Sequence, residues 1–299
     1  MGADRLPGAE GDWRSNRFPL LVKFIDAAAN LSIQVHPDDA AAALHRNTLG
    51  KTEAWHVLAA EPDAALYLGL RPDASPVGFE VACREASGKG AAMLGQLPAV
   101  LGQSVLIPAG TVHALGQGVL VYEIQQASDM TFRLDDWGRV DANGQARSLH
   151  LDDGFAVLEP SFRPEVISPV DLGGHTRRHI LAACRYFALE RVVLSRGMSF
   201  ESYAPDTPQV MTCLDGVVDL ATAGGMVTLR AGETAVVPAV TSRSCLQTTT
   251  TGTVLRAWVP DLAADIIRPA DAAGATAEEM ACLAGPLPDL RDMTLAATA

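Results

Sequence analysis

Leu101-Gly102-Gln103-Ser104-Val105-Leu106-Ile107-Pro108-Ala109-Gly110-Thr111-Val112-His113-Ala114-Leu115 alternates short apolar runs with Gly and Pro. Ser104 to Ile107 reads as a strand, Pro108-Ala109-Gly110 as a turn, and His113 stands at the start of the next strand. Gly116-Gln117-Gly118 reads as a tight hairpin with Val119 to Ile124 returning, because glycine supplies the positive φ that such turns demand. Short strands with Gly and Pro punctuation predict a β-barrel or sandwich. The element recurs in Leu229 to Ala239, where Gly232 and Pro238 keep the interval of Gly102 and Pro108 and each proline is followed by alanine. That is an internal repeat at domain scale. Five residues past the proline, the first copy has His113 and the second has Arg243.

Working outward, Phe18 to Ile25 (FPLLVKFI) is an apolar run broken only by Lys23 and reads as a buried strand. Leu31, Ile33 and Val35 alternate with Ser32, Gln34 and His36, so Gln34 and His36 are expected on one face of a strand that Pro37 ends. Asp38 or Asp39 then caps a helix through His45. A polar turn, Gly50-Lys51-Thr52, leads into a strand carrying Glu53 and His56; Leu66 to Leu70 is a further strand and Ser75 to Leu94 reads as helical, with Phe79, Val81, Cys83 and Ala86 as its apolar stripe. Arg133 to Gly144 reads as a polar loop, 148–169 as a crossing or linker, and a second β-rich block runs from Tyr186 to near Val259. The expected division is 1–17 as a flexible or truncated lead and 18–160 as a first β-domain with a helical insertion. A second β-domain follows at 161–260, and 261–299 is a tail, helical in part over Ala277 to Leu283.

The chain has 299 residues, 48% hydrophobic and 19% charged, the profile of an ordinary soluble protein. It has no long apolar run and no secretion-type leader in Met1 to Arg17, so a cytoplasmic protein is expected. The five cysteines are scattered without a C-x-x-C pair, against a thiolate cluster or a disulfide framework. A net charge of −12 without a Lys/Arg run argues against nucleic-acid partners but not against a small anionic ligand.

Gln34, His36, Glu53 and His113 offer oxygen and nitrogen donors from strands of one barrel, a mixed set suited to a divalent cation if they converge. Taken singly, each has a plainer reading as a packed or solvated strand residue. His45, His56, His150, His175 and His179 read as structural or solvated, and Asp135-Asp136 as a loop cap.

FPLLVKFIDA, LSIQVHPDD, GKTEAWHVL, IPAGTVHALGQG and YEIQQASDMTFR occur in this order between Phe18 and Arg133. In these motifs the sequence resembles the type I mannose-6-phosphate isomerase family, in its short bacterial branch, from about Phe18 to Arg139 and less distinctly beyond. The resemblance implies a mainly β fold with two cupin-like β-barrel or jelly-roll domains, the second lacking metal ligands. It implies one Zn2+ per chain on Gln34, His36, Glu53 and His113. It implies Arg133 and Glu123 as catalytic residues, with Lys51 as rival to Glu123 for the proton shuttle, and Lys23 and Ser32 on the substrate phosphate. The implied reaction interconverts mannose 6-phosphate and fructose 6-phosphate through a cis-enediol. Family members usually carry a Trp-Gly-Gly and a Gly-Glu-x-Trp element ahead of FPLLVK, which this chain lacks, so either a truncated start or an exposed barrel edge is expected. A catalytically impaired sugar-phosphate-binding cupin is therefore the alternative, and an iron-dependent dioxygenase of the same fold is a third reading. The set containing Gln34 and the isomerase-type flanks speaks against the third.

Overall fold

The computed structural model describes residues 18–46, 48–85, 88–203, 207–241 and 243–297. The expected lead at 1–17 and Ala86 lie outside them. The chain divides into two compact units, one over Leu21–Val166 and the other holding Ile167–Ala299.

In the first unit the strands are β1 (Leu20–Asp26), β2 (Ile33–Val35), β3 (Glu53–Ala60), β4 (Ala65–Leu70), β5 (Leu94–Pro98), β6 (Ser104–Ile107), β7 (His113–Leu115), β8 (Val119–Gln126) and β9 (Phe132–Asp135). The helices are α1 (Asp39–Arg46), α2 (Pro76–Arg84) and α3 (Leu151–Val157). One sheet has the order β1-β8-β3-β6, with the two-residue β10 (Val166–Ile167) beyond β6. The other has the order β5-β4-β7-β2-β9. Apolar residues of the two sheets meet between them: Trp55, Val57, Val105 and Val121 from one, Leu66, Leu68 and Leu115 from the other. The far face of the second sheet (Ile33, Val35, Ala114, Phe132, Leu134) is covered by Phe79 and Cys83 of α2 and Phe155 of α3. This is the two-layer solution that alternating strands require, with period-two side chains facing opposite cores.

Several local expectations change. The run at Phe18 to Ile25 is not uniformly buried: Leu21 and Phe24 are 37% and 44% exposed, because β1 ends its sheet among the described residues. Gly116 to Gly118 is not a hairpin, since β7 and β8 belong to different sheets; the turn hands the chain across the sandwich, with Gly116 N–H donating to Ala65 O and Gly118 N–H to Ala27 O. The helix expected over Ser75 to Leu94 stops at Arg84; a 3-10 turn follows at Lys89–Met93, and Leu94 already opens β5. Its stripe is Phe79 and Cys83, while Val81 is exposed. Arg133 belongs to β9 rather than to a loop, and α3 lies within the expected linker.

The second unit carries β11 (Val170–Asp171), β12 (Arg177–Ala183), β13 (Ala188–Leu194), β14 (Ser199–Tyr203), β15 (Gln209–Thr222), β16 (Gly225–Arg230), β17 (Thr234–Val237), β18 (Arg243–Gln247) and β19 (Gly252–Trp258). They form one sheet in the order β11-β12-β13-β19-β15-β18-β14, with β16 and β17 also pairing β15. The β-rich block thus begins before Tyr186. β15 serves both layers: its first half pairs β17 and β19, its second half β16 and β18. The bend lies at a register shift between Cys213 and Asp215, next to Gly216 at φ 77°, where a Cβ would meet Thr251 O at 2.1 Å. The segment after Val259 is more helical than expected, with a π-turn at Leu262–Ile267, then α4 (Arg268–Ala272), α5 (Ala277–Cys282) and α6 (Asp289–Ala297). It packs within this unit: Ala183 N–H donates to Leu283 O, and Arg185 pairs with Asp289.

The repeat extends strand by strand. β3 pairs with β6 and β8 as β15 pairs with β17 and β19, and Glu53 opposite Ile107 and Gln125 corresponds to Gln209 opposite Val237 and Trp258. His113 opens β7 and Arg243 opens β18.

Candidate metal centre

Four strand segments bring the site together, and the motifs are what ties them. Asp38 Oδ1 caps α1 by accepting from Ala41 N, at 2.8 Å. Asp39 Oδ1 accepts from Gly50 N at 2.7 Å and from Gln126 Nε2 at 3.0 Å. Gln126 Oε1 accepts from Thr52 N, and Thr52 Oγ1 accepts from Ala109 N. Gly110 N–H donates to His36 O at 2.8 Å. The Pro-Asp-Asp, Gly-Lys-Thr-Glu, Pro-Ala-Gly and Gln-Gln motifs are therefore one hydrogen-bonded junction. It fixes how β2, β3, β7 and β8 approach one another.

At its centre lie His36, Glu53 and His113, all buried, with donor atoms within 4.8 Å of one another. Glu53 Oε1 is 3.1 Å from His113 Nε2, and its Oε2 is 3.5 Å from His36 Nε2. Neither carboxylate oxygen has a donor in good hydrogen-bond geometry, and the ammonium that compensates the buried charge is that of Lys51, 3.1 Å from Oε2. His36 Nδ1 lies 3.0 Å from Met130 O and His113 Nδ1 lies 2.9 Å from Thr111 O. A carbonyl only accepts, so each ring carries a proton on Nδ1, and each Nε2 is turned toward Glu53. Metal-binding imidazoles are commonly oriented in this way. Gln34 sits opposite His113 across the β2–β7 pair, its amide 3.3 Å from His113 Nε2; a half-turn of that amide presents Oε1 to the same point. The donors present fit a divalent cation such as zinc.

Charge around the site is arranged to match. Lys51, also buried, places Nζ 3.1 Å from Glu53 Oε2 and 2.9 Å from His36 Nε2. Burial alone would push the Glu53 carboxyl up, but Lys51, with His113 and His36, holds it well below the usual carboxylate range. Burial first, and Lys51 second, push the His36 imidazole down to about 3, against an opposing pull from Glu53.

The remaining candidates occupy two neighbouring places. Glu123 on β8 accepts from Lys23 Nζ at 2.8 Å through Oε1 and from Trp55 Nε1 at 2.9 Å through Oε2. Lys23 also donates to Gln125 Oε1 at 2.6 Å. Lys23 thus meets Glu123 because β1 neighbours β8, and both oxygens of Glu123 are already engaged. Arg133 on β9 stands opposite Gln34, hence on its face of the sheet; its Nη1 donates to Ser148 O while its buried Nε has no partner. Ser32 is buried just ahead of β2. Trp55 was not singled out by the sequence, although it lies two positions beyond Glu53 and so on the same strand face. It also stacks edge-on against His113, with ring centroids 5.5 Å apart. Asp135 accepts from Trp137 N and Asp136 pairs with Arg139 and Arg147, so the two act as loop anchors.

Residues 4–56 match the family described as phosphomannose isomerase type I, catalytic domain. The chain is 36% identical over 205 residues to mannose-6-phosphate isomerase ManA of Bacillus subtilis, covering 65% of this chain and 62% of that protein. It is 34% identical over 197 residues to the mannose-6-phosphate isomerase of Streptococcus mutans, covering 65% and 61%. The matched part thus spans about three fifths of the length of these curated relatives. Among solved structures, the mannose 6-phosphate isomerase from Bacillus subtilis superposes with a TM-score of 0.71 at 26% identity, over 86% of this chain and 79% of that one. A variant of the phosphomannose isomerase from Salmonella typhimurium, 15% identical, shares the fold with a TM-score of 0.60, over 82% of this chain and 81% of that one. These matches bear out the resemblance to the type I mannose-6-phosphate isomerase family, and with it the mainly β, cupin-like fold.

Proposed function

We propose that the chain is a zinc-dependent aldose–ketose isomerase that interconverts mannose 6-phosphate and fructose 6-phosphate. The observation that supports this reading is the convergence of three buried side chains, His36, Glu53 and His113, with donor atoms within 4.8 Å of one another. These three residues, with Gln34, would hold one Zn2+. Zinc there supplies Lewis-acid polarisation of the sugar oxygens at C1 and C2.

The chain's own residues supply the rest. The reaction moves one proton between C1 and C2 of the opened sugar through a cis-enediol, which needs a base and a cation for the developing oxyanion. Glu123 is assigned the proton shuttle, with Lys51 as its rival. Glu123 shares its carboxylate with Lys23 and Trp55 and must loosen one contact to take a proton. Lys51 already lies among the metal ligands. Arg133, with its unpartnered Nε, is assigned to stabilise the oxyanion. Lys23 and Ser32 are assigned to the phosphate, where the phosphate and Glu123 compete for the Lys23 ammonium. The substrate is a small sugar phosphate. No helix among the described residues is long and apolar enough to cross a membrane, and we place the enzyme in the cytoplasm, where charge retains phosphorylated sugars.

Replacing His113 by Ala tests the reading. Turnover of mannose 6-phosphate should fall at least about 100-fold together with bound zinc. A His113→Ala protein that keeps both would refute it. Comparing Glu123→Gln with Lys51→Met then assigns the base: the substitution that lowers kcat with KM little changed marks the shuttle.

A further inference from the structure

A divalent cation in this centre and the Lys51 ammonium claim the same atoms. Having committed its Nδ1 proton to Met130 O, His36 has one lone pair left, on Nε2, and Lys51 Nζ is 2.9 Å from it. The same ammonium is 3.1 Å from Glu53 Oε2. A metal coordinated through these two atoms has to take them from Lys51. The backbone at that point is held: Lys51 N–H donates to Pro37 O at 3.0 Å, with Gly50 tied to Asp39 and Thr52 tied to Gln126 on either side. What can move is the four-carbon stem.

We propose that Lys51 is a tethered cation that the metal must displace, and that it thereby sets the metal affinity of the site. Resting on the zinc reading above, this deepens it. In the metal-free protein the ammonium neutralises Glu53 and closes off His36, so a buried carboxylate is not left uncompensated. As the metal binds, repulsion between two cations expels the ammonium from the ligand atoms. The released charge then stands beside the metal, so an anionic sugar phosphate meets an additional cation only in the loaded protein.

The test is zinc affinity, measured by competition with a chromogenic chelator on the full-length protein, its Lys51→Met variant and its Lys51→Gln variant. Both variants should bind zinc on the order of tenfold or more tightly than the wild type. Their metal-stripped forms should melt below the stripped wild type, whereas the zinc-loaded forms should melt close together. If a variant does not stay folded without metal, zinc release from its loaded form under chelator challenge should be slower than from the wild type, because no ammonium re-enters. Equal or weaker affinity, or faster release, in a variant whose wild type binds zinc overturns this inference alone. Absence of stoichiometric zinc from wild type and variants alike overturns it together with the metal site itself.

Discussion

At the residue scale the buried Glu53 carboxylate is held between Lys51 Nζ at 3.1 Å and His113 Nε2 at 3.1 Å. Trp55 shows how a residue outside the ligand set shapes the site, since its Nε1 is the donor to the inner oxygen of Glu123. Replacing it by Phe should cost about 1.5–3 kcal/mol, the usual scale for a hydrogen bond to a buried charge, measured as a shift in urea midpoint. An unchanged midpoint would show that water replaces the indole. His36 gives a pH signature. Its folded-state value, pushed down to about 3, lies below the ordinary 6.5, so between these values the unfolded chain binds a proton that the folded chain refuses. Stability of the metal-stripped protein should therefore decline as the pH falls from about 6.5 toward 3. The decline should be shallower in His36→Gln. At this scale the sequence was legible for the convergence of His36, Glu53 and His113, three residues that its motifs singled out. The pairing of Glu123 with Lys23 and Trp55 was not legible, since it depends on β1 and β3 flanking β8.

At the element scale the fold works by locking four turns together. Gly50 is the tightest point: a Cβ there would lie 2.6 Å from the backbone C of Asp38 and N of Asp39, at the start of α1. Gly50→Ala should push the segment carrying Lys51 and the start of β3 at Glu53 away from His36, at a cost of about 1–3 kcal/mol, as overpacking does. Both melting temperature and zinc affinity should drop; a drop in melting temperature alone would mean that the ligands reassemble despite the shift. Strand positions around β6 and β7 followed from local turn chemistry and were readable. The step across the sandwich at Gly116 to Gly118 looks like a hairpin in sequence, because the same glycines serve a tight return and a change of sheet. Local apolar spacing extends the helix at Pro76 too far because it does not register the β4–β5 pairing that claims Leu94.

At the scale of the whole molecule the two units share a core of strand pairings and differ in the charges set on it. Where the first pairs Lys23 with Glu123, the second pairs Glu190 with a buried Arg256, and Gln209 stands where Glu53 stands. Arg256 donates through Nε to Gln209 Oε1 at 2.6 Å and through Nη1 to Glu190 Oε2 at 3.0 Å, so its charge is compensated internally. Glu190→Gln should leave that guanidinium uncompensated and destabilise the protein by about 3–5 kcal/mol in denaturant, with zinc content unchanged at one per chain. Loss of zinc in that variant would mean that the two copies are not independent in this respect. The repeat itself was visible in the sequence through Gly232 and Pro238, and so was the replacement of His113 by Arg243. The exchanged ion pair was hidden, because no motif surrounds Glu190 or Arg256 and only strand register relates them to Lys23 and Glu123.

Metal-dependent isomerisation at His36, Glu53 and His113 is tested by conversion of mannose 6-phosphate to fructose 6-phosphate, followed before chelation, after chelation and after zinc is restored, with bound zinc quantified at each stage. One zinc per chain, turnover abolished with its removal and recovered with its return is the result expected. Turnover that persists in the stripped protein, or a zinc-loaded protein that does not isomerise the sugar, would rule out a zinc-dependent isomerase.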